Sequence, residues 1–237
     1  MIDLKKQKLL IIAPHPDDEV IGCGGLIQRV KEEGGKVYIL FLTVGNTNDF
    51  SKKRASSAIG RKKEIKKVAS FLEYDGYDIA LEGSKYHLKL DLLGQKRLLD
   101  IIERESSVSI EKVKPTIVAF PLKNSYNQDH RIAALAVHAS VRPAEKKFKH
   151  FVPIVLAYEA PADTWSINSC QTLPNVFIPL TKRQMYGKLT AMKLYASQVK
   201  PFPNLRSLEI LKIHAILRGA AAGEEFAEGY TAYRIIV

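Results

Sequence analysis

Residues Leu9–Gly25 read LLIIAPHPDDEVIGCGG: an apolar run, a histidine, three consecutive acids, and then a segment of helical length. An apolar run this short, closed by a proline turn, reads as a buried strand rather than a helix. Three adjacent carboxyl groups, Asp17, Asp18 and Glu19, repel one another unless something positive offsets them. A helix N-terminus, a basic side chain or a metal ion would each do so. Which of these is present decides what the loop is for.

Outward from that strand the chain alternates. Residues 20–33 are of helical length and KVYILFLTVG (36–45) reads as a second buried strand. RKKEIKKVASFL (61–72) places Ile65, Val68, Ala69 and Leu72 at helical spacing, and LLDIIERESSVSIEKV (98–113) has a similar period. TIVAF (116–120) and PIVLAYE (153–159) read as buried strands on either side of a helix over HRIAALAVHASV (130–141). This order predicts an α/β doubly wound fold, a mostly parallel sheet flanked by helices. Beyond residue 160 two helical segments, 181–197 and 204–222, are expected to pack over the core. VKPFPNLRS (199–207) separates them through Pro201 and Pro203, and YTAYRIIV forms a terminal strand. No repeat or linker divides the chain, so residues 1–237 are expected to form one domain.

Composition excludes several classes. At 46% hydrophobic residues a core can be filled, and a folded rather than a disordered chain is expected. No stretch approaches the ~20 apolar residues of a membrane span. The lysines ahead of the first apolar run lack a cleavage site, so a cytoplasmic protein is expected. Two cysteines, Cys23 and Cys170, with no CxxC spacing, imply neither a disulfide framework nor a thiolate metal site. The net charge of +11 gathers in Lys52–Lys67 and Arg142–His150. It reads first as a solvated surface, and next as attraction to an anionic partner such as a nucleotide sugar or acidic polysaccharide. Nucleic acid is the weaker partner, since no binding motif or interleaved aromatics accompany the charge. The sequence allows an oligomer without specifying one.

A second loop resembles the first. TIVAFPLKNSYNQDHRIAALAV (Thr116–Val137) runs from strand through Asn127, Asp129 and His130 into a helix. In a parallel sheet, loops at the carboxyl ends of strands converge on one edge. His15 and Asp18, three residues apart, and His130 from the second loop then supply two imidazoles and one carboxylate. That set, with a position left for water, is a catalytic zinc arrangement, and other divalent metals suit it as well. Asp17, not needed as a ligand, is placed to take the water's proton. Asp129 is placed to orient a histidine. Each loop alone has a bland reading as a helix cap, and GCGG alone is a weak phosphate loop behind repelling acids. The two loops together favour the metal. His87, His138, His150 and His214 lack such context and read as surface or satisfied core.

PHPDDEVIGCGG is similar to the first motif of the PIG-L/LmbE-like zinc-dependent N-deacetylases, and NQDH (Asn127–His130) partly matches their second, HPDH. GRKKE (Gly60–Glu64), AMKLYASQ (Ala191–Gln198) and LRGAAAGEEFAEGY (Leu217–Tyr230) resemble further family segments, so the likeness spans nearly the whole chain. The resemblance implies a Rossmann-like fold and removal of an N-acetyl group from an amino sugar, often N-acetylglucosamine in a larger conjugate. Residue by residue it implies His15, Asp18 and His130 as zinc ligands and Asp17 as general base. It implies Asp129 as support, and Arg61, Asn127 and Asp91 as substrate contacts. Asn127 stands where the family has a histidine; asparagine can donate to an oxyanion but cannot supply a proton at neutral pH. A hydrolase of another amide or ester, and a metal-holding carbohydrate-binding protein with little turnover, are the alternatives.

Overall fold

The computed structural model describes residues 4–47, 56–165 and 173–236. Lys52–Arg54 of the first basic run, and Cys170, lie outside the described residues. Seven strands form one sheet: β1 (Lys8–Ala13), β2 (Lys36–Val44), β3 (Gly76–Glu82), β4 (Ile117–Pro121), β5 (Ile154–Tyr158), β6 (Val176–Pro179) and β7 (Ala227–Ile235). Their order is β3-β2-β1-β4-β5-β7-β6. The first five run parallel, and β7 lies antiparallel between β5 and β6.

Both faces are covered, which is why β1, β4 and β5 are almost continuously apolar. Successive strand residues point to opposite sides. Leu9, Ile11 and Ala13 of β1 pack with helices α1 (Asp18–Glu32) and α2 (Ala58–Phe71) on one face. Leu10 and Ile12 pack on the other with α3 (Gln95–Asp100), α4 (Ile110–Val113) and α5 (Gln128–Ser140). Two C-terminal helices, α6 (Lys182–Leu194) and α7 (Leu208–Ala222), join the first face.

The structure places GCGG inside α1, as the helical length of residues 20–33 predicts, and departs from the sequence reading in two other places. A Cβ on Gly22 would lie 2.3 Å from the Tyr158 ring, and one on Gly25 would lie 2.3 Å from Leu180. The glycines let α1 press onto β5 and the segment after β6. The helix expected over 98–113 is broken. It starts earlier, as α3, passes through a π turn at Ile101–Glu105, and resumes as α4. Ser106 sits in the gap; its hydroxyl donates to Asp78 at 2.6 Å and accepts the Val108 N–H, the local bonding by which serine competes with a helix. Strands β3 and β6 were not anticipated. β3 is an edge strand, half-buried along most of its length, and β6 is short.

The chain builds β1-β2-β3 outward on one side, then crosses to place β4 and β5 on the other. The reversal falls between β1 and β4. In open α/β sheets ligands bind outside the carboxyl ends of the strands at such a switch point.

Candidate active site

Both His/Asp loops open at that switch point. The Asp18 carboxylate, on the first turn of α1, accepts the His15 N–H at 2.8 Å. The same oxygen lies 3.4 Å from His15 Nδ1 and 3.2 Å from His130 Nε2. One donor atom from each of His15, Asp18 and His130 falls within 4.8 Å of the others, and all three residues are buried. Burial alone would raise the Asp18 carboxyl, but the two imidazoles outweigh it and hold it well below the usual carboxylate range. Burial would likewise lower His15, yet Asp129 and Asp18 raise it to about 9. The cluster is built to hold positive charge.

Asp129 fixes which nitrogen of His15 is free. Its fully buried carboxylate lies 2.9 Å from His15 Nε2 and accepts the Leu90 N–H at 2.9 Å. An ionised carboxylate only accepts, so Nε2 keeps its hydrogen, and Nδ1, whose proton Asp18 favours in the metal-free protein, is the nitrogen that would give up that proton to ligate a metal. Two imidazole nitrogens and a carboxylate oxygen, with one imidazole oriented this way, fit a catalytic divalent metal.

Asp17 is held in an unusual state. Its backbone has φ 109° and ψ −28°, a left-handed conformation rare for a non-glycine residue. Its N–H donates to Glu19 at 3.2 Å, and its carbonyl accepts the N–H groups of Val20 and Ile21. Glu19 is anchored by the hydroxyls of Tyr195 (2.5 Å) and Tyr74 (3.1 Å). Asp17 Oδ2 is buried with no hydrogen-bond partner among the described residues; Arg206 Nη1 stands 3.8 Å away. Burial and the neighbouring Asp18 push the Asp17 carboxyl up to about 6, against the pull of Arg206, Arg61 and His15.

Asn127 caps α5: its side-chain oxygen accepts the Asp129 N–H at 2.9 Å, leaving the amide nitrogen as its free donor. Arg61, although it begins a lysine-rich helix, is 1% exposed and donates to the Pro16 carbonyl at 2.9 Å. Asp91 is exposed on the 3-10 turn Leu90–Leu93, beside the residue bonded to Asp129. His138 is exposed, and His150 and His214 are half-buried with Pro115 and Glu159 as partners, as expected for surface and satisfied core.

His87, expected at the surface or in satisfied core, is buried in the loop after β3, edge-on to the His15 ring at 5.1 Å and within 3.2 Å of Arg61, with its Nδ1 unbonded. A Cβ on Gly45, just past β2, would lie 2.3 Å from His87 Cβ, so glycine there lets the ring in. Nothing in the local sequence signals this, because the loop reaches the site only once β3 is paired. Arg206, in the α6–α7 connection, was missed for the same reason.

Residues 10–141 match the family model described as PIG-L: GlcNAc-PI de-N-acetylase. Diacetylchitobiose deacetylase of Thermococcus kodakarensis is 28% identical over 236 residues, covering 94% of this chain and 82% of that protein. Teicoplanin deacetylase Orf2, solved in a zinc-inhibited form, superposes with a TM-score of 0.73 at 17% identity, over 95% of this chain and 97% of that one. GalB of Pseudomonas putida, a 4-carboxy-2-hydroxymuconate hydratase, superposes with a TM-score of 0.69 at 21% identity, over 98% of each chain. At these identities the structural likenesses establish the fold, and the hydratase shows that the fold alone does not choose a reaction.

Proposed function

The chain belongs to the PIG-L family of de-N-acetylases, and from that premise we propose that it hydrolyses the N-acetyl group of an N-acetylglucosamine-type amino sugar conjugate with a zinc ion held by His15, Asp18 and His130. The observation that carries the reading is a buried acid, Asp17, with an oxygen that makes no hydrogen bond, beside a two-histidine, one-carboxylate donor set. A bound divalent metal supplies Lewis acidity, polarising the acetamide carbonyl and acidifying water.

The chain's own residues do the rest. Asp17, with its carboxyl near 6, accepts a proton from the attacking water at Oδ2, the atom left without a partner. Its strained backbone holds that atom in place, which is where such strain is commonly kept. Asp129 keeps His15 in the ligating tautomer. Arg61 steadies the Pro16 carbonyl ahead of Asp17 and lends positive charge to the substrate side. The Asn127 amide donates to substrate oxygen, and Asp91 receives a sugar hydroxyl at the rim. A basic surface suits a charged aglycone such as a nucleotide.

The test is acetate release from a panel of N-acetylglucosamine conjugates, neutral and anionic, with and without chelator. Chelator-sensitive release is expected. Retained metal and saturable sugar binding with no acetate from any conjugate would favour the carbohydrate-binding alternative. Cleavage of an ester or a different amide instead would favour another metal hydrolase. Among the described residues no helix is long and apolar enough to cross a membrane.

A further inference from the structure

Buried polar side-chain atoms without partners are rare in folded proteins, and each costs about 1–3 kcal/mol relative to a bonded one. Among the described residues four of the five such atoms belong to Asp17, Thr43, Arg61 and His87. All four surround one short loop. Thr43 donates its backbone N–H to Pro14, Arg61 donates to Pro16, Asp17 follows Pro16, and His87 lies against Arg61 and His15. Such a concentration marks a place where polar groups of a ligand complete the bonding.

The roles of the atoms follow from their chemistry. A guanidinium has only donors, so the contact between Arg61 Nη1 and His87 Nε2 makes Nε2 the acceptor. A ring accepting at Nε2 is neutral and carries its hydrogen at Nδ1. That atom is one of the four, a buried N–H donor without a protein acceptor. Arg61 Nε–H beside it is a second. Asp17 Oδ2 is an acceptor, and the Thr43 hydroxyl can donate or accept. The site thus offers an acceptor for the water's proton together with donors for an oxygen that gains negative charge.

We propose that His87 is a further catalytic residue of the reaction proposed above, donating a hydrogen bond from Nδ1–H to the acetamide oxygen as it becomes an oxyanion. No proton is transferred. The ring stays neutral, held in one tautomer by Arg61, and the hydrogen bond strengthens as charge develops on the oxygen. The Asn127 oxygen is spent capping α5 and only its amide nitrogen remains to donate, so the histidine of the third loop adds a second neutral donor on the carbonyl side.

Because the role rests on the deacetylase reading, the test has two parts that fail separately. First, ring 15N shifts of metal-loaded wild-type protein, assigned by comparison with His87→Gln, report the tautomer whatever the reaction. A Nδ1–H neutral ring whose Nδ1 signal moves on adding acetate is expected. A Nε2–H tautomer, or a signal indifferent to acetate, overturns the proposal. Second, His87→Ala and His87→Gln, each shown to be folded by melting and to hold metal by elemental analysis, are assayed on one accepted conjugate. His87→Ala should lower kcat about 100-fold or more with KM nearly unchanged, the scale of one lost oxyanion donor, and His87→Gln, which keeps a donor, should recover part of it. Unchanged kcat, or a rise in KM alone, overturns the proposal, the latter placing the contact on the sugar. If no conjugate is hydrolysed, the deacetylase reading fails and the catalytic role with it, while the tautomer result still says whether an unshared donor faces the site.

Discussion

The loops after β1 and β4 look alike in sequence and are built in opposite ways. In the second, Asn127 sits in an ordinary extended conformation, φ −78° and ψ 123°, and its side chain bonds the first turn of α5. Asp129 behind it has both oxygens engaged, with His15 and Leu90. In the first, Asp17 occupies the capping position of α1 in a left-handed conformation and makes no side-chain cap bond. One of its oxygens is buried without a partner. A loop that satisfies its polar atoms holds the site in place, here presenting His130 and bracing His15 through Asp129. A loop that stores strain and leaves an acid's oxygen without a hydrogen bond is prepared for a reacting group.

The strongest test of that contrast separates holding from reacting within three residues. His130→Ala or Asp18→Asn removes one of three protein ligands and should abolish both bound metal and acetate release. Asp17→Asn should keep the metal while turnover falls roughly 100- to 10,000-fold, the range for a lost general base. Elemental analysis beside the assay reads both quantities. Metal lost from Asp17→Asn but kept by Asp18→Asn would reverse the two roles.

Asp129→Asn probes the scaffold from the other side. It keeps the shape and loses the charge that fixes the His15 tautomer, so metal affinity should weaken by about 10- to 100-fold. A chelator-competition titration measures it. An affinity as weak as that of His130→Ala would make Asp129 a ligand rather than a support.

The two loops also predict opposite pH trends with and without metal. Folded-state values are raised for His15 (to about 9), Glu19 (to about 8) and Asp17 (to about 6), all above their unfolded values. For Asp17 and Glu19 burial is the main cause; for His15 its carboxylate partners overcome burial. Through these three groups the folded protein without metal binds more protons than the unfolded chain between about pH 4 and 9. Stability from these groups is present at low pH and lost as pH rises through those values. His214, lowered to about 4 chiefly by burial, and His87, lowered to about 3 by burial and the charges of His15 and Arg61, act the other way and only below about pH 6.5. Metal binding needs neutral imidazoles and ionised carboxylate, so its contribution grows with pH. Melting temperature should fall from pH 6.5 to 9 for metal-free protein, and the increment from added zinc should widen. Parallel curves would mean that the buried cluster is not where the metal sits.

How much of this was readable in advance depended on whether an element acts locally. β1, β4 and the loops after them are legible because an apolar run, a turn and a helix start lie within about twenty residues. His15, Asp17, Asp18, Asp129 and His130 are therefore singled out without a structure, and the structure sets His15, Asp18, Asp129 and His130 in contact with Asp17 next to Asp18. β3 was not legible, since GYDIALE at a half-buried edge lacks both alternation and a continuous apolar run. Its loop carries His87, and a missed strand hid a site residue. Arg206 is reached only through the packing of α6 and α7 against the first face. Arg61 was recognised only by resemblance; a basic helix face gives no hint that one of its cations is buried.

The smallest effect separates the loops by sign. Asn127→Ala removes a helix cap and should destabilise by about 1 kcal/mol, with Asn127→Asp retaining most of it. For a chain of this size that is a fall of about 2–4 °C in Tm. Asp17→Gly should move the other way in the metal-free protein. Glycine adopts φ near 109° without steric cost, and the change removes a buried carboxyl with an unpaired oxygen beside Asp18. Relief of left-handed strain alone is on the order of 1–3 kcal/mol, partly offset by lost attraction to Arg206 and Arg61 and by glycine's greater freedom when unfolded. A gain of a few degrees in Tm, with turnover abolished, is the expected outcome. A residue whose loss steadies the fold and stops the reaction is kept for the reaction; if Asp17→Gly instead melts lower than Asn127→Ala, Asp17 is a structural cap and the contrast between the loops is lost.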